Sequence, residues 1–217
     1  MILGVYGTGG AGRELFELIE TWNKCRSINY DLVFIDDYRD SEKLFDVDIF
    51  SFDSFRHQFS VDEAKVVVSA GEPRIRKLLW ERVKANGYGF ETLIHPQATV
   101  SPRATIGEGS IIKKGALVSC DCIIGKNVDI MVNSYIGHDS SIGDHGEIGS
   151  LVSIGGYCSL GEEVFIGQGT IIRDKISIGN KSIIGMGSIV TCSFDEKSIV
   201  YGNPAKLIRT SEDGAVF

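Results

Sequence analysis

Surplus positive charge is missing from this chain. Its 22 Lys and Arg stand against 29 Asp and Glu, a formal net charge of −7 over 217 residues. Phosphate backbones and anionic lipid surfaces are gripped by excess Lys and Arg, so neither nucleic acid nor membrane is an expected partner. Long apolar runs are missing too. Nothing approaches the roughly 18 apolar residues of a spanning helix, and the opening MILGVYGTGGAGRE sets no basic flank before an apolar stretch. Neither a membrane span nor a secretory signal is expected. Cys25, Cys120, Cys122, Cys158 and Cys192 are scattered, odd in number and without a CxxC pair. That excludes a disulfide framework or a zinc ribbon and points to a reducing cytoplasm. The remainder, 43% apolar and 24% charged, is globular in kind and long enough for one large domain or two small ones.

What is present is a repeat. Stepping by six from Ile94 meets Val100, Ile106, Ile112, Val118, Ile124, Ile130, Ile136 and Ile142. The same step continues through Ile148, Ile154, Leu160, Ile166, Ile172, Ile178, Ile184 and Val190 without a slip. Gly commonly follows the aliphatic, and the fifth residue of a hexad is often small, as at Ala98, Ser110, Cys122, Ser134 and Cys158. Neither helical spacing nor simple strand alternation has this period. It predicts a solenoid of short strands and tight turns, three hexads to a triangular coil. The aliphatic points inward, the small residue packs at the corner, and glycine relieves the turn backbone. Cys122 and Cys158 then read as core fillers. Ile130 and Ile148 fall mid-stack, where a charge does most damage.

Residues 1–87 follow another pattern. The apolar run Ile2–Tyr6 leads into Gly7-Thr8-Gly9-Gly10-Ala11-Gly12, then a helix with Leu15, Phe16, Ile19 and Trp22 on one face. A second strand, Leu32–Ile35, closes on Asp36-Asp37. A third, Ala64–Ala70, ends at Gly71 before a helix carrying Arg74, Arg76, Leu78, Leu79 and Trp80. Alternation of strand and helix predicts a small parallel α/β sheet of Rossmann-like kind. The glycine run sits after a strand and opens a helix, where backbone N–H groups and the helix dipole accept a diphosphate. Asp36 lies at the end of the second strand, where a carboxylate takes a ribose hydroxyl or a base N–H. A nucleotide diphosphate is expected there; NAD fits less well, since nothing downstream resembles a dehydrogenase substrate domain. The expected division is 1–90 and 91–217.

Four histidines occur: His57, His95, His138 and His145. His138 is the third residue of its hexad, so its ring points out of the prism, and Asp139 follows it directly. An outward imidazole with a carboxylate beside it is either a general base or a solvated histidine on a polar face. His145 is either a substrate contact or a solvated turn residue, and His95, before Pro96, is structural.

The combination of GTGGAG, FIDDY (Phe34–Tyr38), the SAG segment with its arginine helix, mid-repeat IGHD and GNPAK (Gly202–Lys206) resembles one family. It is similar to the bacterial nucleotide-sugar acetyltransferases of the hexapeptide-repeat superfamily, related to sialic acid O-acetyltransferase. The resemblance spans nearly the whole chain. It implies that the repeat is an all-β left-handed parallel β-helix, with His138 the catalytic base and Asp139 its acidic neighbour. It further implies that Gly7, Thr8, Gly9, Gly10, Gly12, Asp36, Asp37, Gly71 and Arg74 hold the nucleotide sugar. Acetyl-CoA would lie along Gly156, Met186, Gly187, Pro204 and Lys206, with the Gly156 N–H on the thioester carbonyl. No metal is implied. The implied reaction is acetyl transfer to the amine of a UDP-, dTDP- or GDP-linked amino-dideoxy sugar. It takes place at a cleft between prisms of a homotrimer that also covers Leu151 and Phe165. Ala11 departs from the ring that many members carry there, so a contact toward the sugar is absent. The competing readings are O-acetylation of a sugar hydroxyl, a metal-dependent β-helix hydratase short of a third histidine, and a non-catalytic nucleotide-binding scaffold.

Overall fold

The computed structural model describes residues 1–25, 29–39, 43–211 and 216. Its N-terminal unit comprises β1 (Ile2–Tyr6), α1 (Gly10–Cys25), β2 (Asp31–Ile35), β3 (Lys43–Leu44), β4 (Val47–Phe50), α2 (Phe52–Gln58), β5 (Ala64–Val68), α3 (Pro73–Ala85) and β6 (Gly89–Phe90). The strands form one sheet in the order β3-β4-β2-β1-β5-β6. Leu3, Val5, Phe34, Ile35, Val66 and Val67 are fully buried because helices cover both faces, the usual reason that parallel strands read as unbroken apolar runs. The sheet is mixed rather than wholly parallel. β3 runs antiparallel to β4, because the two residues joining them, Phe45 and Asp46, allow a hairpin and no crossover. Sequence periodicity missed this hairpin, α2 and β6. β2 and β5 flank β1 on opposite sides, so a crevice opens at the carboxyl end of β1, where ligands bind in such sheets.

From Leu93 the chain winds into a left-handed parallel β-helix. Its two-residue strands run from β7 (Leu93–Ile94) to β23 (Ile189–Val190), and a hairpin of β24 (Ser198–Gly202) and β25 (Ala205–Thr210) finishes the stack. Each strand pairs in parallel with the one a full coil later: Ile112 with Ile130, Ile136 with Ile154, Ile124 with Ile142. The inner column is buried from Ile112 to Val190, while Ile94, Val100 and Ile106 in the first coil are partly exposed. Ser110, Ser134 and Ser140, at the small inner position, lace the coils together. The Ser110 hydroxyl donates to the Gly125 carbonyl at 2.8 Å and accepts from the Val128 N–H at 2.9 Å. Cys122 and Cys158 occupy the same position, and burial raises both thiol pKa values.

The glycine after each aliphatic has a different cause from the one its turn position predicts. The left-handed backbone belongs two residues later, at Asn127 (φ 53°), Asn133 (57°), Asp139 (57°), His145 (64°) and Tyr157 (58°). The glycines are needed by the next coil. A Cβ on Gly137 would lie 2.5 Å from the Gly155 carbonyl carbon, and one on Gly125 would lie 2.7 Å from the Asp144 nitrogen.

One face of the prism carries the N-terminal unit. Arg76 of α3, fully buried, donates to Asp129 at 3.2 Å, Glu147 at 3.3 Å and the Val68 carbonyl at 3.2 Å. Lys113 bridges Glu14 of α1 at 3.3 Å and Asp129 at 3.7 Å, and Lys77 pairs with Glu163 at 2.7 Å. His145 is neither solvated nor open to a substrate. It is buried, 6.0 Å edge-on to Trp80, with Nδ1 2.9 Å from the Asn127 amide, and burial lowers its pKa. His95 is buried, accepting the Gln97 N–H at 3.0 Å. Phe165 stands on this same covered face, beside Glu147 in the strand register, and not on a surface left for a neighbouring prism. The next face is bare, with Leu117, Tyr135 and Ile171 exposed and Leu151 63% exposed at its edge.

Candidate active site

The glycine loop divides into glycines required by packing and glycines that leave room. Gly7 has φ 118°, and a Cβ on Gly12 would run into the Gly7 carbonyl oxygen. Gly9, Gly10 and Gly71 have nothing within 4 Å of the position a Cβ would take. They line open space at the amino end of α1, where the first-turn N–H groups and the helix dipole favour an anion. Thr8 is buried and gives its N–H and hydroxyl to Asp36 Oδ2, at 3.2 and 2.5 Å. Asp36 Oδ1 accepts the Tyr38 N–H at 3.0 Å, so this carboxylate shapes the rim of the crevice.

Asp37 does not join it there. Its Oδ2 accepts from the Tyr6 hydroxyl at 2.6 Å and from Arg82 at 2.5 Å, and its Oδ1 accepts the Phe52 N–H at 3.0 Å. Burial opposes the charge, yet the bonds from Tyr6, Phe52 and Arg82 outweigh it and hold the carboxyl below its ordinary range. The Tyr6 phenol is driven up by burial and by Asp37. Asp37 therefore braces α2 and α3 from inside. Arg74 is exposed in the first turn of α3, its Nε 3.8 Å from Glu72.

On the prism, His138 and Asp139 project together from the corner after Tyr135–Ile136. Their exposures are 47% and 41%, and Nδ1 lies 2.8 Å from Asp139 Oδ2. With the Nδ1 proton given to Asp139, Nε2 keeps its lone pair for an incoming proton. The ring is boxed in by its neighbours one coil on. Tyr157 meets it edge-on at 5.1 Å, and a Cβ on Gly156 would come within 2.9 Å of its Cε1 and Nε2. The Gly156 N–H, expected on a thioester carbonyl, is donated here to Asp174 Oδ1 at 2.7 Å. Sequence reasoning passed over Asp174 because it lies in another hexad, a full coil beyond Gly156.

The expected acetyl-CoA residues are not gathered in one place. Gly156 shares the corner of His138. Met186, 70% exposed, and Gly187 (φ 67°) follow the strand Ile183–Ile184 at the corner across the bare face. Pro204, after a cis peptide bond, sits in the turn between β24 and β25, and Lys206 is exposed on β25. Beside Met186 a cavity of about 470 Å³ opens between α1 and the prism, lined by Glu14, Met131, Glu147, Phe165 and Tyr201. Among the described residues, no group of three His, Cys, Asp or Glu is placed to hold a metal ion, and no helix is long and apolar enough to cross a membrane.

The GMPPB C-terminal domain family matches residues 89–200. The chain belongs to that family. Similar solved structures extend the likeness beyond that span. The acetyltransferase domain of PglB from Neisseria gonorrhoeae FA1090, in complex with acetyl coenzyme A, is 29% identical with a TM-score of 0.88. That match covers 95% of this chain and 98% of that one. WeeI from Acinetobacter baumannii AYE is 27% identical with a TM-score of 0.89, covering 96% and 100%. A perosamine N-acetyltransferase mutant from Caulobacter crescentus, in complex with CoA and GDP-perosamine, is 24% identical with a TM-score of 0.84 over 95% and 96%, and shares the fold. No curated protein matches the sequence. This GMPPB-type β-helix thus comes with an α/β unit in front, in the architecture of the hexapeptide-repeat acetyltransferases.

Proposed function

We propose that this protein transfers an acetyl group from acetyl-CoA to the amine of a nucleotide-linked amino-dideoxy sugar. The observation that carries the reading is the outward His138–Asp139 pair, on a chain alike over 95% of its length to an acetyltransferase domain in complex with acetyl coenzyme A. The open glycine loop at the head of α1 supports a diphosphate on the acceptor. In the proposed step the amine nitrogen attacks the thioester carbon, and its surplus proton passes to His138 Nε2. The C–S bond then breaks, and the imidazolium returns the proton to the departing thiolate. Asp139 holds the ring's tautomer and stabilises the imidazolium, and proton transfer of this kind contributes about 10²–10⁴-fold.

One chain does not supply the whole of this site. The glycine loop belongs to the unit seated on one prism face, whereas His138 follows the bare face. Among the described residues no hydrogen bond or ion pair joins the two. A neighbouring copy laid on Leu117, Tyr135 and Ile171 would border His138 and bring its own loop to it. We propose a homotrimer on that ground, with sedimentation as the check: a fully active monomer contradicts it.

Thiol release from acetyl-CoA over a panel of UDP-, dTDP- and GDP-linked amino sugars, with free sialic acid as a hydroxyl acceptor, tests the reaction. His138→Ala should lower kcat by at least about 100-fold while nucleotide-sugar affinity persists. Near-normal turnover by that variant removes His138 from the role.

A further inference from the structure

Three residues stand one above another on the active-site corner: His138, Gly156 and Asp174, each a coil apart. Their contacts form a short vertical frame. The His138 carbonyl accepts the Tyr157 N–H at 2.9 Å. Gly156 gives its N–H to Asp174 Oδ1 at 2.7 Å, while its carbonyl accepts the Lys175 N–H at 2.9 Å. The peptide beneath the His138 ring is thus tied on both sides to the next coil.

The prism uses the Asp174 bond elsewhere as well. Asp144 takes the Lys126 N–H at 2.7 Å, and Asn180 takes the Glu162 N–H at 2.9 Å, each across one coil. An Asp or Asn at the third hexad position caps the turn before it. At the His138 corner this general device meets a special circumstance, because the capped glycine is the surface against which the imidazole rests.

We infer that Asp174 is a positioning residue of the active site: it holds the Gly155–Gly156 turn as a platform for His138 and keeps the Gly156 N–H for itself. A single N–H already given at short range to a carboxylate is a poor donor to a second acceptor. A carboxylate beside it also repels charge developing on a thioester oxygen, as like charges do at close quarters. Gly156 serves the site through its missing Cβ, which leaves room for the ring, rather than through its amide.

The inference rests on the acetyl-transfer reading, and its test separates the two. Wild-type protein is assayed first, and absence of thiol release with every acceptor defeats the reaction itself. With an active wild type, Asp174→Ala should lower kcat about tenfold and leave the acetyl-CoA KM within about twofold. Asp174→Asn keeps an oxygen on the same N–H and should restore kcat to within about threefold. Asn180→Ala removes the same kind of bond from a corner remote from His138 and should leave kcat unchanged. Wild-type or faster turnover by Asp174→Ala overturns the inference and returns the Gly156 amide to the oxyanion. An inactive Asp174→Asn, or a loss in Asn180→Ala equal to that in Asp174→Ala, overturns it as well.

Discussion

Gly156 is buried, in ordinary backbone, and in contact with His138. Its φ lies outside the left-handed region, so alanine costs nothing in backbone strain there, and the added methyl meets one neighbour first. At 2.9 Å from Cε1 and Nε2 the His138 ring has to swing away. Gly156→Ala should therefore lower kcat about tenfold or more while the thermal midpoint moves little. A variant with unaltered kcat would show that the ring is free of the glycine beneath it. Asp139 is constrained differently, since its φ of 57° is a conformation that Asp and Asn tolerate better than most residues.

Among the elements, the β1-loop-α1 unit has the least tolerance. Gly12 sits against the Gly7 carbonyl, backbone on backbone, with the Ser69 hydroxyl 3.2 Å away on another side. The Gly7 carbonyl, being backbone, cannot rotate aside as a side chain would. Gly12→Ala should part the loop from the head of α1 and weaken nucleotide-sugar binding by about 100-fold or more, as removal of an aligned set of backbone donors does. Acetyl-CoA titration should be unchanged, because the β-helix is untouched. Loss of both affinities in calorimetry would mean that the loop supports the prism itself. In the β-helix, the logic of the hexad is inter-coil: the glycine after the aliphatic makes way for the coil above, and the left-handed turn residue is more often another residue, such as Asn, Asp, His, Tyr or Lys, than Gly.

At the scale of the whole molecule, a buried ionic cluster ties the α/β unit to the prism. Arg76 and Lys113 face Asp129 and Glu147 in an interior almost closed to water. Burial, with Asp129 adding to it, pushes the Glu147 pKa up to about 8 despite Arg76. The fold therefore favours the neutral acid. Unfolded, this carboxyl ionises near its ordinary 4.5. Between that value and about 8 the native state binds more protons than the unfolded one, so this group's contribution to stability falls as pH rises through the window. Glu147→Gln removes the titration. The stability of that variant relative to wild type, from urea melts between about pH 5 and 8, should rise with pH. A flat or falling difference would mean that Arg76 and Lys113 hold Glu147 ionised throughout.

Much of this protein was legible in one dimension. A period of six residues, kept from Ile94 to Val190, specifies inward and outward at every position. It thereby predicted the prism, the inner cysteines and the outward ring of His138, because side-chain direction in a regular coil is a local property. The glycine run before α1 was legible for the same reason. What the period cannot carry is which residues meet across coils and between units. Only the folded chain sets Asp174 on the Gly156 amide, turns Asp37 inward to Tyr6 and Arg82, buries His145 against Trp80, and puts Phe165 on the covered face. It also sets the expected coenzyme residues Gly156 and Met186 at different corners. These are contacts between positions far apart in sequence, decided by coil stacking and by the docking of one unit on another, and no local spacing encodes them.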